Sequence, residues 1–235
     1  MTNVIILVTI KSAYYTGLKP YKFQNVLIGC VPETEFLMKE IKPIEKIRSL
    51  FDRSKAEKLP ANIPLMLRSR AQTNPDLTLQ VVKNEIGEFE YISYRRVYNR
   101  VVEMACALKK AGIKRGDLVG FMSDNRREWM ILDEALLSLG AADVPRGCDS
   151  TGTEMSFILN FVKCEICIFE NQRQLLKVLE CEDKVSTLRM AILIDSPDEN
   201  VSAKAAESGI KLLKYVDLED QGHHASDAER KDAEA

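Results

Sequence analysis

The stretch IKRGDLVGFMSDNRREWMILDEALLSLGAADVP, residues 113–145, decides the fold. Gly116 and Asp117 form a turn signal, because glycine tolerates turn dihedrals and an aspartate bonds nearby backbone amides. The apolar run LVGFMS that follows reads as a strand. Asp124 or Asn125 can then cap a helix on which Trp129, Ile131, Leu132, Ala135, Leu136 and Leu139 recur at helical spacing. Gly140 closes that helix, and AADVP returns as a second strand. A strand, helix and strand joined by short connections form a βαβ crossover, which demands a parallel sheet.

Working outward, the alternation continues toward the C-terminus. Helices are expected around residues 153–162, 172–179 and 202–207, and strands at 164–170, 190–195 and 211–216. Toward the N-terminus, Asn62 caps a helix through Ala71 that tolerates Pro64 in its first turn, and Asn74 with Pro75 ends it. Runs at 77–82 and 89–93 flank a turn containing Asn84 and Gly87, which is a hairpin signal. Val97, Val101, Met104, Ala105 and Leu108 place one apolar stripe on a helix from near Ser93 to Gly112, with Lys109 and Lys110 suited to its C-terminal carbonyls. Three parts result: residues 1–40, which keep no phase and stay unassigned; an α/β part over 41–220; and a polar tail over 221–235, expected as a frayed helix or a disordered end.

The charge balance is near neutral, with 33 basic and 35 acidic side chains for a net charge of −2, and excludes nucleic-acid binding through bulk charge. The 46% hydrophobic and 29% charged composition is that of an ordinary globular chain. The apolar run Val4–Ile10 is far shorter than the ~20 residues a membrane-spanning helix requires. It also lacks the basic start and small-residue cleavage site of a secretory signal. The six cysteines, Cys30, Cys106, Cys148, Cys164, Cys167 and Cys181, are dispersed and read as reduced thiols of a cytoplasmic protein. Cys164 and Cys167 form C-x-x-C, a spacing found in redox pairs and half zinc sites. CEICIFE alternates like a buried strand, so the two sulfurs are expected to diverge, and no second such pair follows. His223 and His224 stand in the polar tail.

The words from Ile92 to Thr151 resemble a known family. They comprise a Ser-Tyr helix start, a helix ending in L-x-x-x-G, then G-D-x-V, N-x-x-E-W and a small-residue turn into V-P. In that order they resemble the adenylate-forming (AMP-binding) enzymes, and within them the long-chain acyl-CoA synthetases, the long-chain fatty acid:CoA ligases. Residues 165–179 and the strand ending at Asp195 continue the match, which covers roughly residues 59–220. The resemblance implies an α/β fold: an incomplete, mostly parallel sheet with flanking helices, the first part of the family's large N-terminal domain. One departure is local, since Arg96 stands where the family often carries the acid of a capping box after Ser93. Read without the family, Trp129 is a core anchor, and Arg126 and Arg127 lie in a solvated first turn.

In the resembled family a fatty acid attacks the α-phosphate of ATP, and the acyl-adenylate then passes to coenzyme A, with magnesium assisting. A Ser/Thr- and Gly-rich loop ending in Pro-Lys cradles the phosphates. The nearest string here, Ser150 to Glu154, has one glycine and no following lysine. No catalytic, cofactor-binding or metal residue is therefore assigned, and no cofactor is expected for this chain alone. The expectation is a truncated ligase, inactive by itself. The alternative is a non-catalytic subunit or binding module that completes its sheet with a partner, such as the missing C-terminal portion as a separate chain. A cytoplasmic location is expected, with peripheral membrane contact open to the cationic stretch Lys39–Lys58, although an amphipathic helix on the protein's own core reads better there.

Overall fold

In the computed structural model, which describes residues 60–84 and 86–233, the turn at Gly116 and Asp117 and the apolar run after it become β3 of a parallel sheet. The elements in chain order are α1 (Ile63–Thr73), β1 (Thr78–Lys83), β2 (Phe89–Ser93), α2 (Tyr94–Ala111), β3 (Leu118–Met122), α3 (Arg127–Ser138), β4 (Ala142–Arg146), α4 (Gly152–Val162), β5 (Ile166–Phe169), α5 (Gln172–Leu179), β6 (Met190–Leu193), α6 (Glu199–Glu207), β7 (Lys211–Lys214), α7 (Tyr215–His223) and α8 (Asp227–Ala233). β1 and β2 form an antiparallel hairpin. The other strands form one sheet in the order β4-β3-β5-β6-β7, every pair parallel.

The strand order reverses direction between β3 and β5. Right-handed crossovers then require α3 on one face and α4, α5 and α6 on the other. The core obeys this. Val119, Phe121, Ile166, Ile168 and Ile192 pack with α2, α3 and α7. Met122, Cys167, Phe169, Ala191 and Leu193 pack with α4, α5 and α6. Alternate residues of one strand thus feed opposite layers, and all four residues of β5 and of β6 are buried.

The sequence reading needs correction at four places. The cap of α3 is Arg126, which makes no side-chain cap hydrogen bond, so neither Asp124 nor Asn125 fills that role. Cys164 and Cys167 do not diverge: both are buried in the layer beneath α4 and α5. Cys164 precedes β5 and directly follows Lys163, whose φ is 57°, so the strand's alternation does not extend back to it. The last strand stops at Lys214, and Tyr215 begins α7, burying Tyr215 and Leu218 at helical spacing. Of the two expectations for the tail, the helix is the one observed, as α8 over Asp227–Ala233, and it is capped rather than frayed. Its start carries a reciprocal cap, in which the Glu229 carboxylate accepts from the Ser226 amide at 2.7 Å and the Ser226 hydroxyl accepts from the Glu229 amide at 3.4 Å. Lys110 to Glu229 at 2.8 Å and Arg230 to Glu103 at 2.9 Å tie α8 to α2. The segments 1–40 and 39–58, with Cys30, lie outside the described residues.

Candidate functional site

Ligands of open α/β sheets bind outside the carboxyl ends of the strands, at the point where strand order reverses. In this chain that point lies between β3 and β5. Ser123 and Asp124 follow β3, Glu170 follows β5, and Asp195 lies just past β6. The ladder continues into these residues, with the Ser123 amide donating to Arg146 O at 3.0 Å and the Glu170 amide to Met122 O at 2.8 Å. One Glu170 oxygen accepts from the Asp124 amide at 2.8 Å and from the Ser123 hydroxyl at 3.2 Å. The Asp124 carboxylate in turn accepts from the Cys148 amide at 2.8 Å.

A cleft of about 510 Å³ opens here, lined by Ser123, Asp124, Asn125, Trp129, Pro145 and Arg146, with Gly147, Asp149 and Ser150 at its far wall. That wall is held from behind: Lys177 of α5 donates to Cys148 O at 2.7 Å and to Ser150 O at 2.9 Å. The helix after it starts on a close approach, since a Cβ at Gly152 would lie 2.3 Å from Lys177 O. Trp129 is half-buried and stacks on Phe121 at 5.3 Å between centroids, so it both anchors the core and faces the cleft.

Arg126 and Arg127 are ion-paired rather than freely solvated. Arg126 donates to Glu128 at 2.8 Å and to Asp195 at 2.9 Å, while Arg127 reaches the other Glu128 oxygen at 2.8 Å. Burial alone would raise the Glu128 carboxyl, but the hydrogen bonds from Arg126 and Arg127 bring it below its ordinary value. This network fastens the loop after β3 to the end of β6.

Ligand atoms of Asp124, Cys148 and Glu170 lie within 4.8 Å of one another, the grouping among the described residues that could hold a metal ion. Burial, with Glu170 adding to it, pushes the Cys148 thiol up to about 12 with no ion bound, which disfavours it as a nucleophile at neutral pH. Both carboxylates already accept backbone amides.

Nucleotide phosphates fit poorly here. The string Ser150 to Glu154 closes a capping box, the Thr151 hydroxyl accepting from the Glu154 amide and the Glu154 carboxylate from the Thr151 amide. The Thr151 and Glu154 amides, taken up by the helix cap, are not free to cradle an anion. Asp124, Asp149 and Glu170 also make this side of the cleft acidic. The arrangement missed by sequence reasoning is the Arg126–Glu128–Arg127 network; its signal was R-R-E at a helix start, where two cations directly precede an acid.

The family model described as AMP-binding enzyme matches residues 67–232. Over 144 residues the chain is 27% identical to "Long chain acyl-CoA synthetase 6, peroxisomal" of Arabidopsis thaliana, covering 60% of this chain and 20% of that one. Over 150 residues it is 26% identical to "Long-chain-fatty-acid--CoA ligase FadD15" of Mycobacterium tuberculosis, covering 58% of this chain and 25% of the other. Among solved structures, the A domain of carboxylic acid reductase from Segniliparus rugosus superposes with a TM-score of 0.60 at 17% identity, over 74% of this chain and 33% of that one. A fatty acyl CoA synthetase from Mycobacterium tuberculosis superposes at 0.52 and 22% identity, over 70% and 28%. At these identities the superpositions show the fold. The chain spans about a fifth to a quarter of the curated relatives it matches.

Proposed function

The chain belongs to the AMP-binding enzyme family, and from that premise we propose that its 235 residues supply the first α/β portion of a long-chain fatty acid:CoA ligase without turning over acyl substrate by themselves. In the complete reaction a fatty acid, ATP, magnesium and coenzyme A yield an acyl-CoA. The role of this portion is to build one layer of the scaffold. The observation that carries the reading is the Ser150–Glu154 string, which has one glycine and no following lysine and whose Thr151 and Glu154 amides close a capping box. The partial span of the relatives supports it. No described helix is long and apolar enough to cross a membrane. Residence in the cytoplasm, with contact at a membrane surface where fatty acids partition, completes the proposal.

Isothermal titration of the purified chain with ATP and magnesium tests this reading. No heat of binding is expected at micromolar concentrations. Micromolar affinity, or thioester formation from palmitate and coenzyme A in the same sample, would overturn it.

A further inference from the structure

α4 covers the sheet with Met155 and Leu159, both fully buried, and leaves Phe157 and Phe161 exposed on its other side. The two rings stand four residues apart on one helix face and stack at 6.1 Å between centroids. This ridge carries opposite charge at its two ends. At the first turn of α4, Glu154 shares a hollow with Glu182 and Asp183 of the loop after α5. Among the described residues, neither Glu182 nor Asp183 has an ion pair or hydrogen bond, and Lys184 beside them donates to Leu179 O. At the other end Lys163 follows the last turn as the C-terminal cap residue, exposed and likewise unpaired among the described residues. Glu165, two residues on, is taken by Arg189.

A two-fold interface needs a patch complementary to itself, so that residue i of one copy meets j of the other and j meets i. Turned antiparallel against its own copy, the α4 ridge meets that requirement twice. Phe157 falls opposite Phe161 of the second copy, and Phe161 opposite its Phe157, which closes one aromatic seam. At 1.5 Å of rise per residue, Lys163 lies about 13 Å from Glu154 along the axis, so the lysine of each copy comes over the acidic hollow of the other. A parallel pairing would set lysine beside lysine and acid beside acid.

We propose that two copies of this chain associate through α4 in this antiparallel manner. The aromatic seam anchors the contact, and Lys163 against Glu154, Glu182 and Asp183 sets its direction. With 11 residues, α4 is only about 16 Å long, so the dimer is of the small, transient kind that buries less than about 1,200 Å². The pairing rests on no catalytic assignment.

Sedimentation velocity of the full chain from ~10 to ~200 μM, a range suited to weak contacts, tests it. The wild type is expected to approach a dimer and no larger species, and to dissociate further in about 0.5 M sodium chloride, which screens exposed charges. Lys163→Glu should raise the dissociation constant about tenfold, because a two-fold interface carries the reversal twice. Adding Glu182→Lys and Asp183→Lys to that variant should return the constant to within about threefold of the wild type, a rescue that damage to folding does not produce. A wild type that stays monomeric at the highest concentration leaves the ridge to another occupant and overturns the proposal. Growth beyond a dimer, a Lys163→Glu chain that associates like the wild type, or a folded triple variant that stays apart overturns it as well.

Discussion

Glu128 and Glu134 sit six residues apart on one helix, are both buried, and have opposite fates. Glu128 meets two guanidinium groups, and its folded-state value lies below the ordinary one. Its stabilising contribution is therefore present at neutral pH and is lost as pH falls through that lowered value. Glu128→Gln removes the carboxylate that Arg127 meets and one of the two that Arg126 meets, Asp195 remaining, so a loss of about 1 kcal/mol is expected in urea melts at pH 7. For Glu134, burial and then the neighbouring Asp133 raise the folded-state value to about 7. The folded protein then binds the proton more tightly than the unfolded chain, so this contribution is full below ordinary carboxylate values and falls as pH rises toward 7. Glu134→Met should stabilise by about 1 kcal/mol at pH 8 and by less at pH 5. A destabilisation that is equal at both pH values would contradict this. Such differences were not legible in the sequence, where both are acids on an apolar helix and only the third dimension decides which meets an arginine.

Caps separate local from long-range information at the scale of elements. The period of apolar residues placed α2, α3, α4 and both strands flanking α3 correctly, because burial of one face imposes that period wherever the helix lies. The start of α3 was misread because SDNRRE offers several polar candidates. The choice is made elsewhere: Glu170 and Cys148, distant in sequence, occupy the amide and the carboxylate of Asp124. The α4 cap is local by contrast, with Thr151 and Glu154 satisfying each other's amides. Thr151→Ala is thus expected to cost about 1 kcal/mol, whereas Asn125→Ala should stay within about 0.5 kcal/mol. Paired thermal melts check this, and a larger loss for Asn125→Ala would show that it does cap. The end of the chain reads only as a frayed helix or a disordered end for a different reason. Ser226 and Glu229 carry a legible capping box, but α8 buries little apart from Ala233 and is held by ion pairs to α2, which leave no apolar period to read.

For the whole molecule, alternation of helix and strand predicted a parallel sheet, yet the order β4-β3-β5-β6-β7 follows only once handedness fixes which face each crossover uses. That order makes α4 cover β3 and β5 with Met155 and Leu159 while its opposite side presents Phe157 and Phe161, 63% and 76% exposed and stacked at 6.1 Å. A hollow of about 560 Å³ runs beside Phe157, bordered by Glu154, Glu182, Asp183 and Lys184. A helix apolar on both sides is unusual at a water surface, and exposed aromatic pairs promote association. Sedimentation velocity of the purified chain should accordingly show association that grows with concentration from ~10 to ~200 μM, a range typical of weak contacts. Phe157→Ser with Phe161→Ser should shift the boundary to monomer. Both rings already contact water, so the double substitution removes little buried area and should leave the melting temperature within a few degrees. Identical sedimentation of the two proteins would show that the ridge does not drive association, and a large drop in melting temperature would show that the rings support the fold.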